Sequence, residues 1–383
     1  MAEHEPDDVH MAAESDIEDD LDDLDDDLHW VLGFPEPALH PCDLLRHAFP
    51  SKVGGRPAWL DPVRLPSADE LRCPVDGSVM RFLLQVYAPV EERPEAFHRT
   101  MFVFVSGRKA ADTEASAGGA GGSVCVRALR CQMARENEFY VHHPLSDAER
   151  LAGPKQVQAL GGAAGGHPVP ADPWSVAAHE QAVVAGRGDP VVGSGLPSPP
   201  LFPEYEIVIE EEPDDQEGTA GAGAGTGADG DVAIAQHSHR QTDEEKLAAL
   251  SNAANNYTEE ELPTELIDEL EKNMPLDKRQ FAMFAARISN APSQILRYCF
   301  EEGAAPICPS PEGMPRPQDI PPCESCGAAR RFEFQVMPQL LNILGVDPAD
   351  DDALDFGTIA VYSCSASCGG DGYKHEFVWV GKS

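Results

Sequence analysis

One stretch of this sequence occurs twice. Residues 73–89 read CPVDGSVMRFLLQVYAP, and residues 323–341 read CESCGAARRFEFQVMPQLL. At a constant offset of 250, six residue types of the first copy recur in the second, and at an offset of 258 residues 99–110 align with residues 357–368. Both copies alternate as strands do, which predicts two β hairpins. Chance similarity of two hairpins is the alternative, but the fixed register of the identities favours an internal duplication.

The second copy adds two cysteine hooks. Cys323 and Cys326 form C-x-x-C before one predicted strand, and Cys364 and Cys368 form C-x-x-x-C after the next. Two hooks on neighbouring strands can place four thiolates tetrahedrally around Zn²⁺, in a closed structural site. A redox pair and unligated thiols are the alternatives. A redox pair needs a helix N-terminus to lower a thiol pKa, whereas a glycine and a strand follow Cys326.

The first copy retains little of this ligand set. Cys73 stands at the first ligand position, but Asp76 replaces the second, and Ser106 and Ala110 stand opposite the other two cysteines. We therefore expect one structural zinc, bound only by the second copy.

The charge balance restricts the class of partner. The chain has 66 acidic and 28 basic residues, a net charge of −38, which repels nucleic acid and anionic membranes and suits a basic protein. No apolar run approaches a membrane span, and the first residues do not resemble a signal peptide. We expect a cytoplasmic protein, able to shuttle to the nucleus, whose cysteines are thiols or metal ligands.

Composition divides the chain into segments. Predicted helices between the β-rich parts favour an α+β fold, made of two homologous β-rich halves, a short helical segment and a C-terminal four-cysteine zinc site. The predicted segments are an acidic disordered tail (1–29), an N-terminal β-rich half (30–144), a linker (145–203) and a C-terminal domain (204–383). Within that domain we predict a strand (205–209), a disordered insert (210–241), helices (242–300) and a zinc-bound β segment (323–383).

The acidic tail carries one apolar stripe. Residues 1–29 hold 14 Asp or Glu and no Lys or Arg, a composition that keeps a segment solvated. The stripe consists of Ile17, Leu21, Leu24 and Leu28, spaced as on one helix face. The tail is interpreted as a solubilising arm, a docking helix, or an export signal read by a nuclear export receptor.

Motifs for catalysis are missing from the sequence. There is no G-x-S-x-G, H-E-x-x-H or P-loop lysine. Gly225, Gly227 and Gly230 match G-x-G-x-x-G, but no helix follows them, so a nucleotide site is not expected. His142 and His143 lie at a linker edge, and His98 is interpreted as a loop or core residue. We expect a protein that is not an enzyme.

Ten segments of the sequence together resemble one known family. They are LGFPEP, FPSKVGGRPAWLDP, FLLQVYAP, AFHRTMFVFV, LRCQMARENEFY, PEYEIVIEEEP, RISNAPSQILRY, PPCESCGAARRFEFQVMPQLLNIL, DFGTIAVYSCSASC and EFVWV, and they lie roughly within residues 30–140, 203–213 and 281–380. They resemble the programmed cell death protein 2 family, which includes a "-like" paralogue and the yeast 20S rRNA accumulation protein. Some relatives carry a MYND zinc finger between the halves, but this chain has no cysteine between residues 132 and 298.

The resemblance implies a chaperone for one basic ribosomal protein of the small subunit, of the eukaryotic S2 type, that acts in assembly of the 40S subunit. A non-catalytic scaffold in signalling or transcription is the alternative. A groove between the halves is the expected binding surface, where strand edges could pair with the client. There Glu210, Glu211 and Glu212 could meet its basic side chains.

Overall fold

In the computed structural model, ten strands close into one barrel. The structure describes residues 28–106, 124–141, 143–155, 179–180, 183–185, 200–213, 276–309, 313–346 and 354–381. The strands are β1 (Val31–Glu36), β2 (Lys52–Val53), β3 (Arg81–Tyr87), β4 (His98–Ser106), β5 (Cys125–Met133), β6 (Tyr205–Glu211), β7 (Leu296–Tyr298), β8 (Arg330–Val336), β9 (Thr358–Cys364) and β10 (Tyr373–Gly381).

The strands follow one another around the barrel in the order β1, β6, β2, β3, β4, β5, β10, β9, β8, β7, and every pairing is antiparallel. Among the described residues the α-helices are short: α1 (Asp147–Ala152), α2 (Leu276–Asn290) and α3 (Gln339–Ile343). The predicted α+β class is therefore wrong, and the fold is a mostly-β barrel. None of these helices is long and apolar enough to cross a membrane.

The barrel has apolar side chains on both faces of its strands. Along β4 all nine residues are buried: Met101, Val103 and Val105 join a cluster inside the barrel, whereas Phe102 and Phe104 join a cluster on its outer face. This alternation follows from the two-residue period of a strand. A third cluster, which includes Trp30, Phe332, Tyr362 and Trp379, covers the outer face of the other half.

The two similar hairpins have the same register. Phe82 pairs with Phe104 in the β3–β4 hairpin, and Phe332 pairs with Tyr362 in the β8–β9 hairpin. The offsets between these pairs are 250 and 258, as in the sequence alignment. Each hairpin also has a bulge at the same place, directly after Phe82 and after Phe332. A bulge re-aims the residues beside it and is a specific feature of a strand, so the two hairpins are equivalent in backbone detail.

The first strands of the two repeats are exchanged. We define the first repeat as β1–β5 and the second as β6–β10. β1 pairs with β7 of the second repeat, and β6 pairs with β2 of the first, while β1 and β6 also pair with each other. On the opposite side, β5 pairs with β10. The ring thus has approximate twofold symmetry, and each repeat completes the sheet of the other.

The end of the segment predicted to be helical (242–300) contains a strand instead. Leu296–Tyr298 forms β7, which pairs with β1 on one side and with β8 on the other. Three residues are too few to show a period, so the nonlocal pairing decides the conformation. Of the other predicted helices, the part over residues 242–275 lies outside the described residues, and the rest contains α2.

Part of the stretch expected to be a linker lies against the first repeat. Ser146 caps α1 by accepting a hydrogen bond from the N–H of Glu149, and the Glu149 carboxylate accepts one from the Ser146 N–H. The buried Arg46 donates to Glu180 at 2.9 Å and to the carbonyl of Lys155 at 2.6 Å. The Arg46 guanidinium thus holds two separate parts of the stretch, at Lys155 and at Glu180.

Candidate metal centre and open strand edge

The two cysteine hooks meet because β8 and β9 are neighbours. Arg330, the first residue of β8, pairs with Cys364, the last of β9, so the turn before β8 lies beside the turn after β9. In the first turn the Gly327 N–H donates to the Cys323 carbonyl at 2.8 Å, and the Cys323 N–H donates to the carbonyl of Ala328. Gly327 has φ +74°, a conformation that favours glycine. The C-x-x-C hook is therefore built by the backbone.

The four sulfur atoms fit one tetrahedral metal ion. The Sγ atoms of Cys323, Cys326, Cys364 and Cys368 all lie within 4.8 Å of one another. The Cys323–Cys368 distance is 3.7 Å and the Cys326–Cys364 distance is 3.5 Å. Zinc–sulfur bonds of about 2.3 Å in a tetrahedron place the sulfurs about 3.8 Å apart. Disulfides would need about 2.0 Å, so the arrangement can bind a metal ion but is not a pair of disulfides.

The environment of Cys323 favours a thiolate. Burial raises the pKa of its thiol, but the backbone N–H groups of Cys326 and Ser325 donate to the sulfur and lower the pKa to about 7. The thiolate is the form that ligates a metal. Burial instead raises the pKa of Cys364. A bound cation would favour the thiolate form of both.

Two basic side chains outside the hooks lie against the fourth cysteine. The Arg130 Nη2 lies 3.7 Å and the Lys374 Nζ lies 3.5 Å from the Cys368 sulfur. Arg130 also donates to the carbonyl of Cys368 at 3.2 Å. Four thiolates around a divalent ion carry two excess negative charges, which these cations offset. Sequence reasoning missed both residues, because no spacing rule relates them to the hooks.

The equivalent turn of the first repeat keeps its backbone but not its ligands. The Gly77 N–H donates to the Cys73 carbonyl at 2.9 Å, as the Gly327 N–H does to the Cys323 carbonyl in the C-x-x-C turn. Asp76, at the position of the second ligand, accepts from the N–H and hydroxyl of Ser78 at 2.9 and 2.7 Å. The pKa of Cys125 is raised to about 12, first by burial and then by the neighbouring Cys73. Among the described residues, only the four cysteines of the second repeat form a group that could hold a metal ion.

The three glutamates predicted to meet a partner lie at the end of β6. Glu210 and Glu211 are exposed. Glu212 has both oxygens on the fully buried Arg297, at 2.6 and 2.7 Å. The Glu212 carboxylate therefore already has a partner within the protein, whereas the side chains of Glu210 and Glu211 face solvent. At the other end of β6, Glu204 likewise forms an ion pair with a buried basic side chain, that of Lys52.

Within the described residues, one edge of β6 has no partner strand beyond its pairing with β2. The Ile207 N–H donates to the carbonyl of Ser51 on that side at 2.9 Å, but the register with β2 covers only Tyr205 and Glu206. N–H groups alternate between the two edges of a strand, so those of Ile209 and Glu211 point the same way as that of Ile207. No strand of the described chain pairs with them there. Ile209 is also 43% exposed.

The equivalent edge of β1 is blocked. The carbonyl of Gly33 accepts from the N–H of Ile295 at 2.9 Å, so Gly33 and, two residues on, Pro35 face the β7 side. Proline has no N–H to donate, and a proline on an edge prevents strand addition. Of the two exchanged strands, β6 is the one able to accept a further strand.

The remaining residues singled out in the sequence lie elsewhere. His98 is buried, with its Nδ1 3.0 Å from the Tyr87 hydroxyl and its ring stacked on Phe49 at 4.3 Å. His143 is exposed, and Leu28 packs against the cluster around Trp30. Outside the described residues are Ile17, Leu21, Leu24, Ala110, His142, Gly225, Gly227 and Gly230.

Comparison with protein-family models gives two matches. Residues 29–147 match the programmed cell death protein 2 N-terminal domain, and residues 278–382 match the programmed cell death protein 2 C-terminal putative domain. Neither match covers β6, although it belongs to the barrel. No solved structure matches this chain.

Curated relatives have similar lengths. Programmed cell death protein 2 of Bos taurus is 36% identical over 91% of this chain and 95% of its own length. Programmed cell death protein 2-like of Homo sapiens is 28% identical over 83% of this chain and 85% of its own. The probable 20S rRNA accumulation protein 4 of Schizosaccharomyces pombe is 30% identical over 29% of this chain and 30% of its own.

Proposed function

The chain belongs to the programmed cell death protein 2 family, and from this membership we propose that it is a non-catalytic chaperone for one basic ribosomal protein of the small subunit, of the S2 type. A relative of this chain is named for 20S rRNA accumulation, which supports a role in ribosome production. A ribosomal protein that binds rRNA is basic, and its charge is complementary to that of an acidic protein that holds it before assembly.

The open edge of β6 is the observation that carries this proposal. It offers backbone donors and acceptors at Ile209 and Glu211, one exposed apolar side chain, and two exposed carboxylates. Adding a client strand there would satisfy the backbone groups, while Glu210 and Glu211 meet Lys or Arg of the client. The net charge of −38 would speed the approach of a basic client.

We propose that the four cysteines bind Zn²⁺ and that this ion has a structural role in the chaperone. Four cysteine ligands fill a tetrahedral shell and leave no position for a substrate or a reactive water. When bound by the four cysteines, the ion would cross-link the turns at Cys323 and Cys364. The hook between β9 and β10 also touches the first repeat through Arg130, so the ion would stabilise the contact between repeats.

Purification of the tagged full chain from cells tests the chaperone proposal. We expect one basic small-subunit ribosomal protein in near-equal amount. Its association rate should fall as salt rises, because surface charge is screened over about 8 Å at physiological ionic strength. A mixed set of unrelated proteins would favour the signalling or transcription scaffold. Absence of any ribosomal protein at every salt concentration would refute the chaperone.

Variants on β6 test the proposed edge. Ile209→Pro removes one edge donor and should weaken client binding at least about tenfold, whereas Ile209→Ala keeps the donor and should cost less. Glu210→Gln with Glu211→Gln should mainly slow association. The matched control is Glu136→Gln with Glu138→Gln, which neutralises two carboxylates away from β6. Equal binding by Ile209→Pro and the wild type would place the client elsewhere.

A further inference from the structure

A cavity of 560 Å³ lies between the repeats, next to the metal-binding hook. Its lining includes His29 before β1, Arg93 of the first repeat, and Phe300, Arg331 and Ser367 of the second. Ser367 lies between the two cysteines of the second hook. The cavity is thus placed where the N-terminal segment joins the barrel.

Two polar groups of this lining have no hydrogen-bond partner among the described residues. The Arg331 Nε and the Ser367 Oγ are buried without a hydrogen-bond partner within the described chain, and Ser367 has no exposed surface. The Arg331 guanidinium stacks on the Phe300 ring at 3.8 Å, which leaves its in-plane N–H groups available for an acceptor. In a chain with so many carboxylates, an arginine with a buried donor and no ion pair among the described residues marks a site for an anionic group.

The equivalent arginine of the first repeat shows how such a site is filled. Arg81 lies 250 residues before Arg331. It stacks on Phe202 at 3.5 Å and donates its Nε to the carbonyl of Pro200 at 2.9 Å. Pro200 and Phe202 belong to the segment that runs into β6. In the first repeat that segment therefore crosses the arginine and satisfies its Nε.

The strand registers identify the counterpart of this segment. Lys52 of β2 pairs with Glu206 of β6, and the equivalent Arg297 of β7 pairs with Leu32 of β1. Residue 206 thus corresponds to residue 32, and residues 200–202 correspond to residues 26–28. The residues that precede β1 are acidic: residues 22–27 read DDLDDD.

We propose that this cavity is the docking site of the chain's own acidic segment, residues 22–27, with an aspartate carboxylate on Arg331 and Ser367. The segment joins the described chain at Leu28, and the next residue, His29, lines the cavity. An extended chain covers about 3.3 Å per residue, so the carboxylates are tethered within a few residues of the site. Glu301, which also lines the cavity, is engaged by the His29 N–H at 3.2 Å.

Limited proteolysis of the full chain with an Asp-specific protease tests this docking. In the wild type, cleavage within residues 22–27 should be slow, because the docked aspartates are held in the cavity. Arg331→Gln removes the charge and should raise that cleavage rate about tenfold, the effect of losing one charge-assisted contact of about 1.4 kcal/mol. Cleavage at Asp7 and Asp8 is the internal reference and should not change.

The control variant is Arg316→Gln, an exposed arginine paired with Asp319, which should leave all cleavage rates unchanged. If Arg331→Gln fails to fold, a full chain with the five aspartates of residues 22–27 changed to Asn replaces it. Hydrogen exchange at Phe300, Glu301 and residues 365–367 should then be about tenfold faster than in the wild type. Equal exchange in that chain, or equal cleavage in a folded Arg331→Gln protein, would overturn the proposal.

Discussion

Arg99 on β4 donates to both carboxylate oxygens of Glu333 on β8, and both side chains are fully buried. Burial raises the pKa of Glu333, but Arg99 outweighs this effect and holds the pKa below its usual value. Glu333 lies at the bulge of its hairpin, where the first repeat has Leu83. The approximate symmetry is therefore broken at the bulge, and the charge there joins one repeat to the other.

Removing one member of this pair should destabilise the barrel. Glu333→Leu, which copies the residue of the first repeat, leaves Arg99 as an unpaired buried cation and should cost about 3–5 kcal/mol of unfolding free energy. Adding Arg99→Met should recover most of the loss. Urea denaturation measures both effects. Asp319→Ala, which removes the partner of an exposed arginine, should change stability by less than about 1 kcal/mol, and a similar loss there would discredit the argument from burial.

Loss of a hook cysteine should abolish metal binding. Cys326→Ser leaves three thiolates, so we expect less than about one tenth of the wild-type zinc in the purified protein, and a lower unfolding temperature. Mass spectrometry of the native protein and metal analysis check this result. Cys73→Ser should keep one zinc per chain, because Cys73 lies in the hook without a ligand set. Zinc loss in both variants would show that the first repeat contributes to the site.

The two equivalent hook glycines should separate folding from metal binding. Gly327 and Gly77 have φ of +74° and +71°, and open space surrounds both. Alanine at either position should therefore cost about 1–2 kcal/mol through the backbone alone. Gly327→Ala should also weaken zinc binding, as measured by competition with a chelator, whereas Gly77→Ala should not. Equal zinc affinity in the two variants would contradict the role of the turn in placing Cys323.

Acidification should destabilise the protein through His47. Burial lowers the pKa of this histidine below its usual value of 6.5. The hydrogen bond with the Arg150 carbonyl and the charge of Asp43 oppose this effect, whereas the charges of Arg46 and Arg150 add to it. Below about pH 6.5 His47 is protonated in the unfolded chain but resists protonation in the native state, so the free energy of unfolding decreases as the pH falls. Above that pH His47 does not contribute to the pH dependence of stability.

His47→Gln keeps a donor for the Arg150 carbonyl, which lies 2.8 Å from the His47 Nε2, but it cannot titrate. The slope of stability between about pH 6.5 and 5 should therefore become shallower, by up to about 1.4 kcal/mol per pH unit. Thermal unfolding at several pH values measures it. His375, whose pKa burial also lowers, should account for part of the remaining slope. An unchanged slope in His47→Gln would exclude His47 as the responsible group.

Features set by neighbouring residues could be predicted from the sequence, whereas features set by pairing between distant segments could not. The four hook cysteines could be identified from their spacing. Family membership, which the comparisons show, could be predicted from the long segments that resemble the family. The α+β class failed because β7 has three residues and no period, so only its pairing with β1 and β8 reveals it. The contacts of Arg130 with Cys368 and the unpartnered donor of Arg331 depend on packing between distant segments, for which one sequence offers no pattern.

The exchange of β1 and β6 determines when the barrel can be completed during synthesis. Val31 pairs with Glu211 of β6 and with Tyr298 of β7, so a ribosome must add about 270 residues after β1 before its second partner exists. At about 5–20 residues per second this takes on the order of 15–50 s. Throughout that time one edge of β1 has no partner strand. A protein proposed to shelter a nascent client thus has a long interval in which its own first strand is incompletely paired, and neither repeat expressed by itself should close the barrel.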